Sequence, residues 1–312
     1  MHAALSCAQD LRIPPLRMEC RWVNSARMLQ ISPNMLSVAD TAPTLQRARG
    51  DGRIAVKSVG GVNRLAVLYQ DGCAKIRLPR AGPGAPLEAV LINTAGGLTG
   101  GDQMMWSIAV GEGAGASVTT QACERIYKTT GPAARVETRA EVAAGASLAF
   151  LPQETILFDR SSFERSLSAD LAPSARLLVV EPLVFGRQAM GEDVLAAHYR
   201  DRWRIRVGGR LVHGEDVALD GDVQSLLGHR AVANGARAIA TVLVIGSDVE
   251  AQLDAARGII GDDGGASVWR VGGSGKLLAR ITAPGSYELR RRLIPLIALL
   301  NGRAGLPKIW TT

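Results

Sequence analysis

The chain has 312 residues, 47% hydrophobic and 21% charged, with a net charge of +7. That balance belongs to a globular chain long enough for one large domain or two ordinary ones. No apolar run reaches the ~18–20 residues that a membrane-spanning helix needs. Aromatics are only 4%, so Val, Leu, Ile and Ala must fill the interior. The four cysteines, Cys7, Cys20, Cys73 and Cys123, are far apart and form no CxxC pair. They read as reduced thiols of a cytoplasmic protein rather than a disulfide framework or a zinc site. The amino terminus lacks the basic-then-apolar pattern of an export signal. Arg outnumbers Lys 31 to 5, and residues 1–53 hold seven Arg against four acids. Such an excess fits a spread-out solvated surface better than a phosphate-binding face.

In chain order, residues 1–48 show no sustained period and carry Pro14, Pro15, Pro33 and Pro43. They are expected to form a poorly ordered extension, with a single β-rich domain over 49–312. Residues 53–57 alternate as a strand before the Gly60-Gly61 turn. A strand at 89–93 runs into a glycine-rich loop, and another follows at 105–110. A punctuation then recurs, with Gly115-Ala116-Ser117, Gly145-Ala146-Ser147 and Ser174-Ala175-Arg176 each opening an apolar strand. Alternating strands at 135–142 and 164–171 precede the last two. A looser fourth copy follows 202–207, turning at Gly208-Gly209. The fold class expected is mainly β, with a layered, β-helix-like (solenoid-like) arrangement of strands and about two helices near the C-terminus. Ordinary hairpins in a sandwich are the alternative. The helices are placed at 248–259 and at Ser286–Asn301. In the second, Leu289, Leu293, Leu296 or Ile297, and Leu300 share a stripe, Ser286 is the expected N-cap, and Pro295 should kink the helix near Arg291.

Three segments carry isolated acids, the first and third among glycines and the second in an apolar setting: residues 93–102 (NTAGGLTGGD), 151–159 (LPQETILFD) and 186–192 (GRQAMGE). Gly96, Gly97, Gly100 and Gly101 permit close backbone approach. The segment is not GxGxxG opening a helix, because a strand follows, and Gly273-Ser274-Gly275-Lys276 lacks the spacing of a P-loop. A tight crossing loop that brings Asp102 to buried backbone is an equal reading. Glu154 and Asp159 sit among apolar residues, which calls for Arg160 or Arg165 as partners or for a wet surface. The histidines show no metal spacing, and no nucleophile elbow is present. Nothing in the residues points to an enzyme.

With residues 119–128 (TTQACERIYK) and the ending LPKIW, these segments in series resemble the UreD (UreH) family of urease accessory proteins. The resemblance runs from about Arg53 to Trp310. Lys308 stands where the family's ending usually has Arg, and Arg160 where many members have Gly. The resemblance implies a non-enzymatic, mostly β maturation factor that binds apo-urease and UreF, and the GTPase UreG through UreF. It also implies a polar path along which nickel travels as cargo, with no resident cofactor and no tightly bound metal. Isolated carboxylates and hydroxyls hold nickel weakly, as a conduit requires. Asp102, Thr119, Thr120, Glu154 and Glu192 are therefore expected to line that path. Leu289, Leu293 and Trp310 are expected to contribute to the UreF contact, with packing on the chain's own core as the equal alternative. Neither membrane nor nucleic acid is an expected partner. The rival is a basic β-rich nucleic-acid-binding protein using Arg200, Arg202, Trp203, Arg204 and Arg206. A hydrolase using Asp102 and Glu154 is a third reading.

Overall fold

The computed structural model describes residues 46–80, 82 and 84–310. The expected extension 1–48 therefore lies, except for its last three residues, outside the described residues. Gln46–Thr312 form one compact unit.

Two sheets face each other across the main core. The first holds β1 (Arg49–Val59), β2 (Val62–Gly72), β5 (Gln103–Val110), β8 (Ala134–Val142), β11 (Ser162–Leu171), β13 (Ala197–Val207) and β14 (Arg210–Gly221). Its spatial order is β14-β13-β11-β8-β5-β1-β2, parallel from β13 to β1 and antiparallel at both edges. The second holds β3 (Ala74–Arg77), β4 (Leu87–Asn93), β6 (Gly115–Thr120), β9 (Ser147–Leu151), β12 (Arg176–Phe185), β15 (Ala238–Gly246), β16 (Gly264–Val271) and β17 (Ser274–Ala283). Its order is β16-β17-β15-β12-β9-β6-β4-β3, with β12, β9, β6 and β4 parallel.

From β4 to β13 the chain alternates between the sheets, so each coil lays one strand on each. This is the layered, solenoid-like progression expected from the recurring turns. A third, short face joins the coils at one end through β7 (Glu124–Ile126) and β10 (Thr155–Leu157). Along it Leu98, Ile126, Leu157 and Phe185 stack in register, 28, 31 and 28 residues apart, all buried. Equivalent positions of successive coils carry like residues because each must fill the same corner of the core.

The register corrects one detail of the repeat. Gly115 pairs with Ser147, which pairs with Arg176. The turn equivalent to Gly145-Ala146-Ser147 is thus Gly113-Ala114-Gly115 and not Gly115-Ala116-Ser117. Ala114, Ala146 and Ala175 are the buried corner residues. The fourth copy also differs. Gly208 and Gly209 both take positive φ, 55° and 79°, which is the geometry of a two-residue hairpin. The chain therefore turns back into β14 and the coiling ends there.

The second sheet is buried on both faces, and β12 and β15 accordingly read as near-continuous apolar runs. Its outer face is covered by α2 (Leu253–Ile260) and α3 (Ser286–Asn301), which make a second core with Leu277, Ala279 and Ile281. α3 has the expected bounds and buries Leu289, Leu293, Leu296, Ile297 and Leu300. Its N-cap is Gly285 rather than Ser286, whose hydroxyl is used elsewhere. The helix placed at 248–259 begins as a 3₁₀ turn, Glu250–Gln252, before α2 proper. A short α1 (Val223–Gly228) was not anticipated, although Asp222 caps it by accepting from the Ser225 amide at 2.9 Å. No helix among the described residues is long and apolar enough to cross a membrane.

Arg160 closes the turn between β10 and β11 with φ of 58°, a left-handed conformation that L side chains enter at a cost of ~1–2 kcal/mol. Its amide donates to Ala196, and its carbonyl accepts from Thr129 at 2.9 Å, so the backbone has no alternative. The side chain is exposed and only 3.6 Å from Asp159. Arg160→Gly should therefore raise unfolding stability by about 1 kcal/mol, read by denaturant titration. A variant less stable than the parent would show that the guanidinium matters more than the strain.

Candidate functional site

The motif segments meet at the end of the coils where the loops cross. In residues 93–102 a Cβ on Gly97 would collide with the Tyr127 ring and the Arg125 carbonyl, and one on Gly100 with Thr129 and the Pro132 carbonyl. Gly96 and Gly101 lie close by at φ of 77° and 87°. The glycines are there because another strand passes against the loop. Tyr127 reinforces the crossing by donating to the Gly96 carbonyl at 3.2 Å.

Asp102 is buried, and its two oxygens accept from the Ala48 and Thr99 amides, both at 2.8 Å. It staples the loop to the start of β1, as the crossing-loop reading required. Asp159 does a similar task, accepting from the Leu195 and Ala196 amides at 2.9 and 3.0 Å.

Glu154 is 1% exposed, and its partner is neither Arg160 nor Arg165. Arg290 of α3 reaches both its oxygens at 3.1 Å, Ser286 donates to it at 3.0 Å, and Cys123 at 3.4 Å. Arg290 also bonds Gln153 at 2.9 Å and lies over the Trp310 ring, 5.0 Å from its centroid. The Trp310 indole donates to the Leu151 carbonyl at 3.0 Å and to Thr119 at 3.2 Å, while the Thr119 hydroxyl donates to Leu151 at 2.6 Å. Thr120 accepts from the Gln153 amide at 2.8 Å. Thr119, Thr120, Glu154 and Trp310 are thus one polar cluster that pins α3 and the C-terminal turn to β6 and β9. Leu289, Leu293 and Trp310 all lie in the chain's own core, Trp310 at 1% exposure.

Glu192 is not part of this cluster. Arg187 grips it bidentately at 2.8 and 2.9 Å, which holds its carboxyl below the usual range. Arg187 itself stacks on Phe158, 4.4 Å from the ring centroid.

A cavity of about 220 Å³ opens beside the glycine loop, and Asn93, Gly96, Gly97, Thr120, Cys123 and Glu124 line it. Of the five expected path residues only Thr120 lines it. Cys123 and Glu124 were missed, although the acid at 124 was visible in the motif TTQACERIYK. Burial pushes the Cys123 thiol up to about 12, with Glu154 adding to the rise. Burial likewise raises Glu124 to about 7, against the Asn93 amide that bonds it at 3.1 Å. No group of three or more His, Cys, Asp or Glu among the described residues is placed to hold a metal ion.

A second buried polar cluster lies between the sheets. Arg165 of β11 pairs with Asp201 of β13 at 2.7 Å and with Glu181 of β12, and it bonds Tyr199 at 2.9 Å. The Trp203 indole donates to Asp201 at 3.1 Å. Burial raises Glu181, and the guanidinium opposes that rise. The one sequence signal was an acid inside the apolar run of β12.

The nucleic-acid patch does not survive. Arg200, Arg202, Arg204 and Arg206 share the outer face of β13, but Trp203 points inward at 1% exposure. Asp216 takes Arg200 at 3.0 and 3.1 Å and lies 3.6 Å from Arg202 and 4.0 Å from Arg204. A stacking platform is absent and the charge is partly met within the chain.

The class that the fold and site define is a short parallel β-solenoid, closed at one end by crossing glycine loops and covered on one face by helices. Its polar cluster ties α3 and the C-terminal turn to the coils. The family whose sequence model is described as "UreD urease accessory protein" matches residues 48–311. "Urease accessory protein UreD 1" of Brucella melitensis is 55% identical over 284 residues, covering 91% of this chain and all of that protein. A relative of the same description in Brucella anthropi is 54% identical over 270 residues, with 85% and 95% covered. "Urease accessory protein UreD" of Mesorhizobium japonicum is 52% identical over 269 residues, with 86% and 96% covered. The chain belongs to the UreD family of urease accessory proteins, and with it to the machinery of urease maturation.

Two outcomes follow from the cluster. Arg290→Met leaves Glu154 buried without a counter-charge and should cost about 3 kcal/mol of stability, most of it regained on adding Glu154→Gln. Loss that the second change fails to relieve would mean that Arg290 acts through Trp310 instead. Glu124 binds its proton more tightly folded than unfolded, so it subtracts stability as pH rises from about 4.5 to about 7. Glu124→Gln should accordingly stabilise the chain at pH 8, by at most about 3 kcal/mol, and the gain should vanish below pH 4.5. A gain independent of pH would remove the burial argument.

Proposed function

We propose that the chain is a non-catalytic cytoplasmic scaffold that binds apo-urease and UreF, with UreG held through UreF. In that complex it offers nickel a polar path toward the urease active site. The observation that carries this reading is that two of the resemblance's segments, 93–102 and 119–128, line one polar cavity, while 151–159 and the C-terminal turn are tied to the same loop end. Nickel is cargo here, so no resident metal or cofactor is part of the proposal.

The geometry sorts the expected path residues by task. Asp102, Thr119 and Glu154 have their oxygens committed to the chain's own donors, so they hold the walls. Glu192 is committed to Arg187 in a neighbouring loop. Thr120, Cys123 and Glu124 line the cavity, with the carbonyls of the glycine loop beside them. This donor set is weak and mixed, which suits passage rather than capture. Leu289, Leu293 and Trp310 serve the partner contact indirectly, by fixing α3. Its exposed face, with Tyr287 and Arg291, then remains for a partner.

The test is co-expression of the chain with the urease subunits, UreF and UreG, followed by nickel analysis of the purified urease. Glu124→Ala and Thr120→Val should each give several-fold less nickel per active site while the complex still assembles. Fully loaded urease from both variants would end the cavity reading. Failure of the parent chain to recover apo-urease or UreF would end the scaffold reading itself.

A further inference from the structure

We propose that the free edge of β2 is a docking edge completed by an extended strand of a partner protein. That strand carries a carboxylate beside Arg64 and apolar residues beside Val62 and Val67. The proposal deepens the scaffold reading by locating one partner contact, and it rests on that reading for the choice of probe.

β2 pairs with β1 on one side, and its other side has no strand neighbour among the described residues. It is 11 residues long, and all but Asn63 are exposed. An edge of that length is a template for strand addition, and natural edges are blunted by proline, shortness or inward-pointing charge. β2 has no proline, is not short and carries no inward charge; its devices are a bulge at Ala66 and two outward charges, and neither covers the edge. Its two charges, Arg64 and Asp71, lie opposite Lys57 and Asp51 on the outward face. Six of the chain's exposed large hydrophobic residues, Val59, Val62, Leu65, Val67, Leu68 and Tyr69, fall on this hairpin, Val67 at 50% and Tyr69 at 45%. No other part of the described surface collects as many. Leu65 and Leu68 belong to the inward face, so this end of the solenoid also leaves core positions open. Terminal layers of stacked folds need a cover for that reason.

Charge selects the occupant. Lys57 lies directly opposite Arg64 across β1 and β2, and neither meets a carboxylate among the described residues. Like charges in that position repel, and an acid on the next strand would relieve them. A second copy of this chain would bring another such pair to the seam. A partner strand with a carboxylate flanked by apolar residues satisfies both features, with main-chain bonds supplying affinity and the side chains register.

The experiment compares the full chain alone with the complex purified after co-expression with the urease subunits and UreF. Amide exchange should be fast along Val62–Gly72 in the free chain and strongly slowed in the complex. Arg64→Glu and Val67→Lys, both exposed changes that should leave thermal unfolding of the free chain unaltered, should each lower partner recovery at least tenfold. Undiminished recovery with both variants, or β2 amides still fast in the complex, would overturn the proposal while the scaffold reading stands. Protection of β2 already in the chain alone would also overturn it. The mass in solution would then say whether a second copy or the chain itself covers the edge. A parent chain that brought down neither partner would overturn the scaffold reading and this proposal with it.

Discussion

Everything in this molecule depends on one constraint: each coil must lie on the previous one in parallel register. Parallel ladders need both sheets to advance together, so the corners must repeat as faithfully as the strands. The stacked Leu98, Ile126, Leu157 and Phe185 do this at one end, and the buried alanines at 114, 146 and 175 at the other. Small corner residues let the chain pass between sheets without opening a gap. The fold ends where the repeat breaks, at the Gly208-Gly209 hairpin, which converts a rising coil into an antiparallel edge.

The same constraint explains why polar groups are buried at all. A stack of parallel strands cannot turn a misplaced polar residue toward solvent without losing register. It must therefore be matched inside. Arg165 is answered from both sheets, by Asp201 on its own and Glu181 across the core. Breaking such a set by removing one member would leave a buried charge, so the members stand or fall together. The second cluster, around Glu154, performs the equivalent task at the surface of the second sheet. It ties a helix some 136 residues away in sequence onto the coil.

Legibility in the sequence followed contact range. The strand–turn–strand repeat was visible because every coil writes the same apolar spacing, and α3 because its stripe and terminal Gly302 are local signals. The first turn was misassigned by two residues since Gly-Ala-Ser recurs at 115–117, whereas the pairing register falls on Gly113-Ala114-Gly115. Local pattern cannot choose between two glycines. Partners close in sequence were legible, as with Arg160 beside Asp159, and so was the approach of Asp102 to buried backbone, but distant side-chain partners were not. Arg160 and Arg165 were the nearest candidates for Glu154, yet the guanidinium that reaches it comes from α3. Trp203 was expected beside its arginines on the surface, but alternation along a strand places it on the opposite face. Arg160 stands where many members of the resembled family have Gly, and the structure gives it the left-handed backbone angle that glycine enters freely.

Carboxylates in this structure differ by what already occupies them, and that difference bears on how a chain could pass a divalent ion without keeping it. Asp102 is held through both oxygens by backbone amides and Asp159 through one, with Arg160 near the other; Glu154 is held by Arg290 and Ser286, and Glu192 by Arg187. An ion approaching these would have to displace donors that the fold itself needs. Glu124 is otherwise engaged: the Asn93 side-chain amide holds it, and burial raises it to about 7. Binding of a cation to such a carboxyl would be linked to loss of whatever proton it carries, and so would weaken as pH falls. Occupation by the chain's own donors, rather than the number of acids or their depth, is then what distinguishes the structural carboxylates from Glu124.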